Sequence, residues 1–464
     1  MDDGMRDWRA YLADHQMEFL EQLKEFLRIP SISADPARLP DVDRAAAWVA
    51  ARVSAAGLEH VEVLRAGRYP MVYADWLHAP GRPTVLIYGH FDVQPVDPVD
   101  AWTHPPFEPT IVDDRIYARG ASDDKGNMLV PILVLEAFLR TRGALPVNVK
   151  LLFEGQEEIL SPDLPAFVAA ARERLSCDMV VSADGWQWSE TEADLRVGLR
   201  GLCALEVTVR GPATELHSGS HGGAVANPAQ ALVRLLASLH GDTGRVAVPG
   251  FYDEVLPLDE TARSQIAAVP FDEAAYRARV GVSALAGEPG FSPRERIGVR
   301  PTLEINGITS GYAGSGVKTI IPAQASAKIT CRLVPDQAPA VIAERVRAHL
   351  AAQALPGVEV EVQVLPNAAR PYLIPMDHPA NQAAAEVLTE LYGRAPYYTR
   401  SGGSIAILDL FRQELDAFTV IYGFGLPDEN FHAPDEFLRL SGFRLGQEGY
   451  GRLLERIAEI SGSL

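Results

Sequence analysis

The chain has 464 residues, 47% of them apolar, and a formal net charge of −19. That length exceeds one ordinary core, so two or more folding units are expected, and the apolar content excludes wholesale disorder. The acidic balance, with no Lys/Arg block, excludes a nucleic-acid-binding surface.

Residues 6–27 carry Trp8, Tyr11, Leu12, Phe19, Leu20, Leu23, Phe26 and Leu27 at helical spacing, which predicts one amphipathic helix ended by Ile29-Pro30. A second helix is expected over 41–56. Strands are then read near 61–64, 71–76, 85–88, 147–153 and 179–182, with helices near 127–140 and 164–175. This alternation with long crossovers predicts an α/β fold: a mixed, mostly parallel sheet sandwiched by helices.

The pattern changes near Leu199. Residues 202–209 and 358–364 alternate like half-exposed strands, 301–305 and 325–333 read as strands, and 229–239 and 340–354 as helices. The charged stretch 249–296 reads as an irregular excursion. After Arg370-Pro371 the first pattern resumes, with a helix over 380–391 and a strand over 418–421. A smaller α+β domain at 199–370 is therefore expected inside a discontinuous larger one formed by 1–198 and 371–464. Neither an internal repeat nor a low-complexity tract is present.

Cys177, Cys203 and Cys331 lie in or beside apolar runs without a C-x-x-C pairing, which fits buried free thiols in a reducing compartment. No run approaches ~18 apolar residues, and Met1-Asp2-Asp3 opens no signal-like segment. A cytoplasmic protein without membrane contact is expected.

The chemistry sits at strand exits. Glu157-Glu158 follows the apolar run 147–153, His90-Phe91-Asp92 follows 85–88, and Asp184 follows 179–182. Asp123-Asp124 occupies a turn-rich stretch before a helix. In open α/β sheets ligands bind just outside the carboxyl ends of the strands. Taken singly, a Glu pair reads as a solvated loop and an Asp before a helix as an N-cap; the recurrence is what points to a site. His90, Asp123, Glu158, Asp184 and the late His432 would supply two divalent metal ions with one bridging carboxylate. Zinc suits these nitrogen and oxygen donors, with Mn or Co as alternatives. Two ions about 3.5–4 Å apart lower the pKa of a bridging water, giving a hydroxide, and polarise a carbonyl. Asp92 is placed to accept the other imidazole N–H of His90, and Glu157 to act as general base.

Gly89-His90-Phe91-Asp92-Val93-Gln94-Pro95, Arg119-Gly120-Ala121-Ser122-Asp123-Asp124-Lys125-Gly126 and Phe153-Glu154-Gly155-Gln156-Glu157-Glu158 together resemble the di-zinc metallopeptidases that include carnosinases, bacterial dipeptidases, acetylornithine deacetylases and succinyl-diaminopimelate desuccinylases. The likeness is strongest to the carnosinase-like dipeptidases. It implies that Asp123 bridges both metals, that Glu157 is the base and Glu158 the ligand, that Asp184 and His432 complete the set, and that the Asp123–Asp124 peptide is cis. It also implies that the inserted domain is a lid and dimerisation domain, giving a homodimer. His217, in Leu216-His217-Ser218-Gly219, would stabilise the oxyanion in a neighbouring subunit's site. Arg332 would clamp a substrate carboxylate, Gly403 and Ser404 would meet the same substrate end, and Asn306 is a further lid candidate.

The expected activity is metal-dependent hydrolysis of dipeptides or short peptides with a free C-terminal carboxylate. An N-acyl-amino-acid amidohydrolase of the same family is the nearest alternative. A two-metal phosphoesterase, disfavoured by the lack of further metal histidines, and a scaffold without catalysis, disfavoured by Glu157, stand further off.

Overall fold

Six strands assemble into the central sheet of the computed structural model, which describes residues 7–403 and 405–460. Their order is Glu59–Arg65, Pro70–Trp76, Asn148–Glu154, Thr84–His90, Met179–Ser182 and Thr419–Ile421. The first two pairings are antiparallel; the other three are parallel. Successive side chains of a strand point to opposite faces, and every residue of Pro70–Trp76 is buried. Both faces of the sheet are therefore covered at that strand, whereas the edge strand Glu59–Arg65 is largely exposed. Helices Leu39–Ala56 and Lys125–Arg142 pack on its strands, and Leu440–Ala458 packs on Lys125–Arg142.

The chain divides into two units, the first formed by residues up to Val197, by Ile374–Tyr398 and from Ile407 onward. The second consists of Gly198–Leu373 and Thr399–Ala406. Its antiparallel sheet runs Thr302–Ser310, Gln324–Leu333, Gly201–Arg210, Glu359–Ala369. Burial alternates along Gln324–Leu333, so one face is apolar. That face carries Leu205, Val207 and Ile329 against Leu232 and Leu235 of helix Pro228–Ala237 and Ile342 and Val346 of Pro339–Ala352. Cys203 and Cys331, buried and free, lie opposite each other across two of these strands.

The expected first helix is two. Trp8–Asp14 ends at His15 and Gln16–Leu27 follows. The break is a competition for carbonyls: the Gln16 side chain donates to Leu12 O at 2.9 Å, and the His15 ring Nδ1 lies 2.7 Å from Tyr11 O. The helix read over 164–175 is likewise interrupted at Ala171. The excursion 249–296 contains three short helices, Glu260–Ala268, Glu273–Val280 and Pro293–Gly298, each N-capped by an Asp or Ser side chain. Strand Asp194–Leu199 and helices Ala406–Leu415 and Leu440–Ala458 went unread in the sequence. Among the described residues no helix is long and apolar enough to cross a membrane.

Candidate active site

Register fixes where the reactive side chains emerge. His90 pairs with Glu154, Tyr88 with Ser182, and Ser182 with Ile421, so the parallel strands end side by side. Beyond those ends come Glu157 and Glu158 on a short 3-10 turn, Asp184, and the loop carrying His432. Asp123 enters from the turn before helix Lys125–Arg142, and its peptide bond to Asp124 is cis.

Two candidate ligand groups result. His90, Asp123 and Asp184 form one; Asp123, Glu158 and His432 form the other; within each, one donor atom per residue lies within 4.8 Å of the rest. Asp123 belongs to both. Its Oδ1 is 3.1 Å from His90 Nε2 and its Oδ2 2.9 Å from His432 Nε2, so each oxygen faces one group. His432 Nε2 also lies 3.1 Å from Glu158 Oε2, which accepts a 2.7 Å hydrogen bond from Gln94 Nε2.

Asp92 lies beside the His90 ring, as expected, and has a second task. His90 Nδ1 is closer to the Asp92 backbone carbonyl (3.1 Å) than to its carboxylate (3.5 Å). The carboxylate also accepts the backbone N–H groups of Glu157 and Glu158, each at 3.1 Å. Asp92 thus meets the His90 ring with its main chain and, at longer range, its carboxylate, and fixes the Glu157-Glu158 turn through its side chain.

The electrostatics reflect crowded carboxylates. Burial, then the Asp123 charge, pushes Asp184 up to about 6 and Glu158 up to about 7. Burial, reinforced by Asp184 and Glu158, holds Glu157 well above the carboxylate range. Against the penalty of burial, hydrogen bonds from His432 and His90 depress Asp123. Hydrogen bonds to Asp123 and Glu158 raise His432 to about 10. Two imidazoles and three carboxylates, one of them shared, are the nitrogen and oxygen donors that a pair of divalent ions takes. Cations there would also offset the negative charge that burial leaves costly. The residues fit two metal ions.

Buried partners that the sequence reading missed set this geometry. Asp124 accepts the His90 backbone N–H at 3.1 Å. Glu436 and Glu429, both wholly buried, grip the turn that holds Asp123. Two glutamates in a loop look solvated in sequence; their only signal is that they bracket His432. Close approach also matters: a Cβ on Gly126 would lie 2.1 Å from Ala121 O, inside the same turn.

The remaining candidates lie in the second unit. His217 is exposed, and its Nδ1 accepts the Gly219 N–H at 3.1 Å. Arg332 is half-buried on strand Gln324–Leu333, where burial lowers its pKa. Asn306 is exposed at an irregularity between Ile305 and Gly307. Gly403 is exposed and donates its N–H to Ser401 Oγ at 3.2 Å. Ser404 lies outside the described residues.

Residues 86–456 match the model of Peptidase family M20/M25/M40. A Cys-Gly metallodipeptidase of Schizosaccharomyces pombe is 30% identical over 461 residues, covering 96% of each chain. A human Beta-Ala-His dipeptidase is 30% identical over 470 residues, covering 97% of this chain and 92% of its own. The crystal structure of an M20 family metallo-carboxypeptidase from Sulfolobus solfataricus superposes with a TM-score of 0.84 at 31% identity, covering 96% of this chain and all of that one.

Proposed function

This chain belongs to peptidase family M20/M25/M40, and on that footing we propose that it hydrolyses dipeptides and short peptides bearing a free C-terminal carboxylate. The observation that carries this reading is the pair of ligand groups sharing Asp123, with Glu157 held beside them by Asp92. The names of the relatives, dipeptidases for Cys-Gly and for Beta-Ala-His, support the substrate class.

His90, Asp123 and Asp184 would hold one divalent ion, and Asp123, Glu158 and His432 the other. Ions held there supply the Lewis acidity that activates a water and polarises the scissile carbonyl. Glu157 takes a proton from the attacking water on a carboxylate oxygen and delivers it to the leaving amine nitrogen as the C–N bond breaks. Its raised pKa suits a group that must keep that proton between the two steps. His217 as oxyanion donor, Arg332 as bidentate partner of the substrate carboxylate, Gly403, Ser404 and Asn306 as further contacts, and a homodimer through the second unit are assigned on their motifs.

A panel tests the reading: dipeptides, tripeptides with free C-termini, and N-acetyl and N-succinyl amino acids, offered to protein loaded with Zn, Mn or Co. Turnover of the dipeptides is expected. Turnover confined to the acylated amino acids overturns it in favour of an amidohydrolase. Faster cleavage of tripeptides than of dipeptides moves it toward the carboxypeptidase relative.

A further inference from the structure

We propose that Glu436 and Glu429 are positioning residues for the candidate metal centre: a two-carboxylate clamp that holds the Asp123 turn and the His432 loop in one fixed relation. This rests on the dinuclear reading above.

Glu436 is wholly buried, and both of its oxygens are doubly used. Oε1 accepts the backbone N–H groups of Ser122 (3.0 Å) and Asp123 (3.1 Å). Oε2 accepts the Gly120 N–H (2.9 Å) and Arg119 Nη1 (2.7 Å). One side chain therefore satisfies three main-chain donors of a turn that has no ladder of its own. Arg119 supplies the countercharge that lets the carboxylate stay buried.

Glu429, also wholly buried, works from the other side. Its Oε2 accepts the Ser122 hydroxyl (2.7 Å) and the Leu426 N–H (3.0 Å). Its Oε1 accepts the backbone N–H of Arg439 (3.0 Å) and lies 3.3 Å from Arg439 Nη1. Ser122, the residue before Asp123, is thus held by both glutamates.

His432 lies between them in sequence, and packing does little to place it, since its side chain is 52% exposed. The loop itself is strained. Asn430, His432 and Asp435 adopt φ of 55°, 62° and 56°, left-handed conformations that L residues take at a cost. Such a backbone persists only when its surroundings over-determine it. The bonds at Glu429 and Glu436, together with Phe437 N–H to Glu429 O (3.0 Å) and Ala118 N–H to Glu436 O (3.0 Å), supply that constraint. The two nitrogen ligands are consequently held differently: His90 by strand and burial, His432 by a loop anchored at both ends.

The test is metal binding rather than turnover. Zinc is titrated into wild type, Glu436→Gln and Ser122→Ala in competition with a chromophoric chelator, and metal-free melting temperatures are recorded alongside. A glutamine at 436 keeps the volume but has one acceptor oxygen for four donors; an alanine at 122 removes only the bond to Glu429. Wild type is expected to hold two ions. Zinc affinity is expected to fall about 10–100-fold in Glu436→Gln, the range for outer-sphere partners, and less in Ser122→Ala. Variants that match wild type in stoichiometry and affinity, with only a lower melting temperature, overturn the clamp and leave a structural ion pair. If Glu436→Gln fails to fold, the Ser122→Ala titration decides alone. A wild type that holds fewer than two ions overturns the dinuclear reading itself, and the clamp with it.

Discussion

Asp92 accepts the backbone N–H of Glu158 at 3.1 Å, so a residue of the His90 strand exit holds a carboxylate that lies 66 positions later. The same carboxylate takes the Glu157 N–H. Proposed base and proposed ligand therefore share one anchor. Asp92→Ala is expected to cut zinc affinity and kcat together, about 10–100-fold each. Elemental analysis after gel filtration checks the first, and rates at saturating metal the second. Retained metal at unchanged affinity would remove Asp92 from the centre.

Glu157 should behave differently from its neighbour. Glu157→Gln is expected to lower kcat by about 10²–10⁴-fold while the protein still binds two ions, since Glu157 belongs to neither ligand group. Glu158→Gln should lose metal as well as rate. Equal activity of Glu157→Gln and wild type would falsify the base assignment.

Stripping the metals exposes the crowding of the carboxylates. Asp184 and Glu158 stand at about 6 and about 7 in the folded chain, above roughly 4 for the unfolded one. A raised acid pKa means that the folded state holds more protons, so stability falls as pH rises between those values. Chelator-treated protein should lose melting temperature from about pH 4 to about pH 7, and Asp184→Asn should lose less. Parallel curves for the two proteins would contradict the assignment. Adding zinc should restore most at the upper end of the window.

Gly126→Ala tests close approach. The added Cβ would meet Ala121 O at 2.1 Å and Leu438 Cδ2 at 2.6 Å. A backbone oxygen cannot move aside without shifting the turn that holds Asp123. Weaker zinc binding is expected along with a lower melting temperature; unchanged binding would mean that the turn yields without carrying Asp123 with it.

Arg332 makes a prediction about substrate rather than metal. Arg332→Lys loses the planar fork that grips a carboxylate bidentately. KM for a dipeptide with a free carboxylate should rise about tenfold, and much less for the corresponding amide. Equal effects on the two substrates would separate Arg332 from the C-terminal carboxylate.

What could be read in the sequence was periodic or strand-linked. His90, Glu158 and Asp184 follow apolar runs, and a parallel sheet brings such exits together. Helix Leu440–Ala458 was missed because Gly442, Gly446, Gly449 and Gly451 dilute its apolar pattern. They are there for packing: a Cβ on Gly449 would strike Phe424, and one on Gly451 would strike Trp8. The split at His15 turned on side chains taking carbonyls, which periodicity does not register. Glu429 and Glu436 were invisible for a related reason. Charge in a loop reads as solvated, and only the folded chain shows that both are enclosed.

The bond from Asp123 N–H to Glu436 spans 313 residues. During synthesis, four of the five proposed ligands emerge well before the segment that seats them. A nascent or truncated chain ending short of Glu436 would carry most of the donor atoms without an ordered centre. Metal loading would thus wait for the segment through Glu436, so that two bound ions report that this late segment has joined the turn at Asp123.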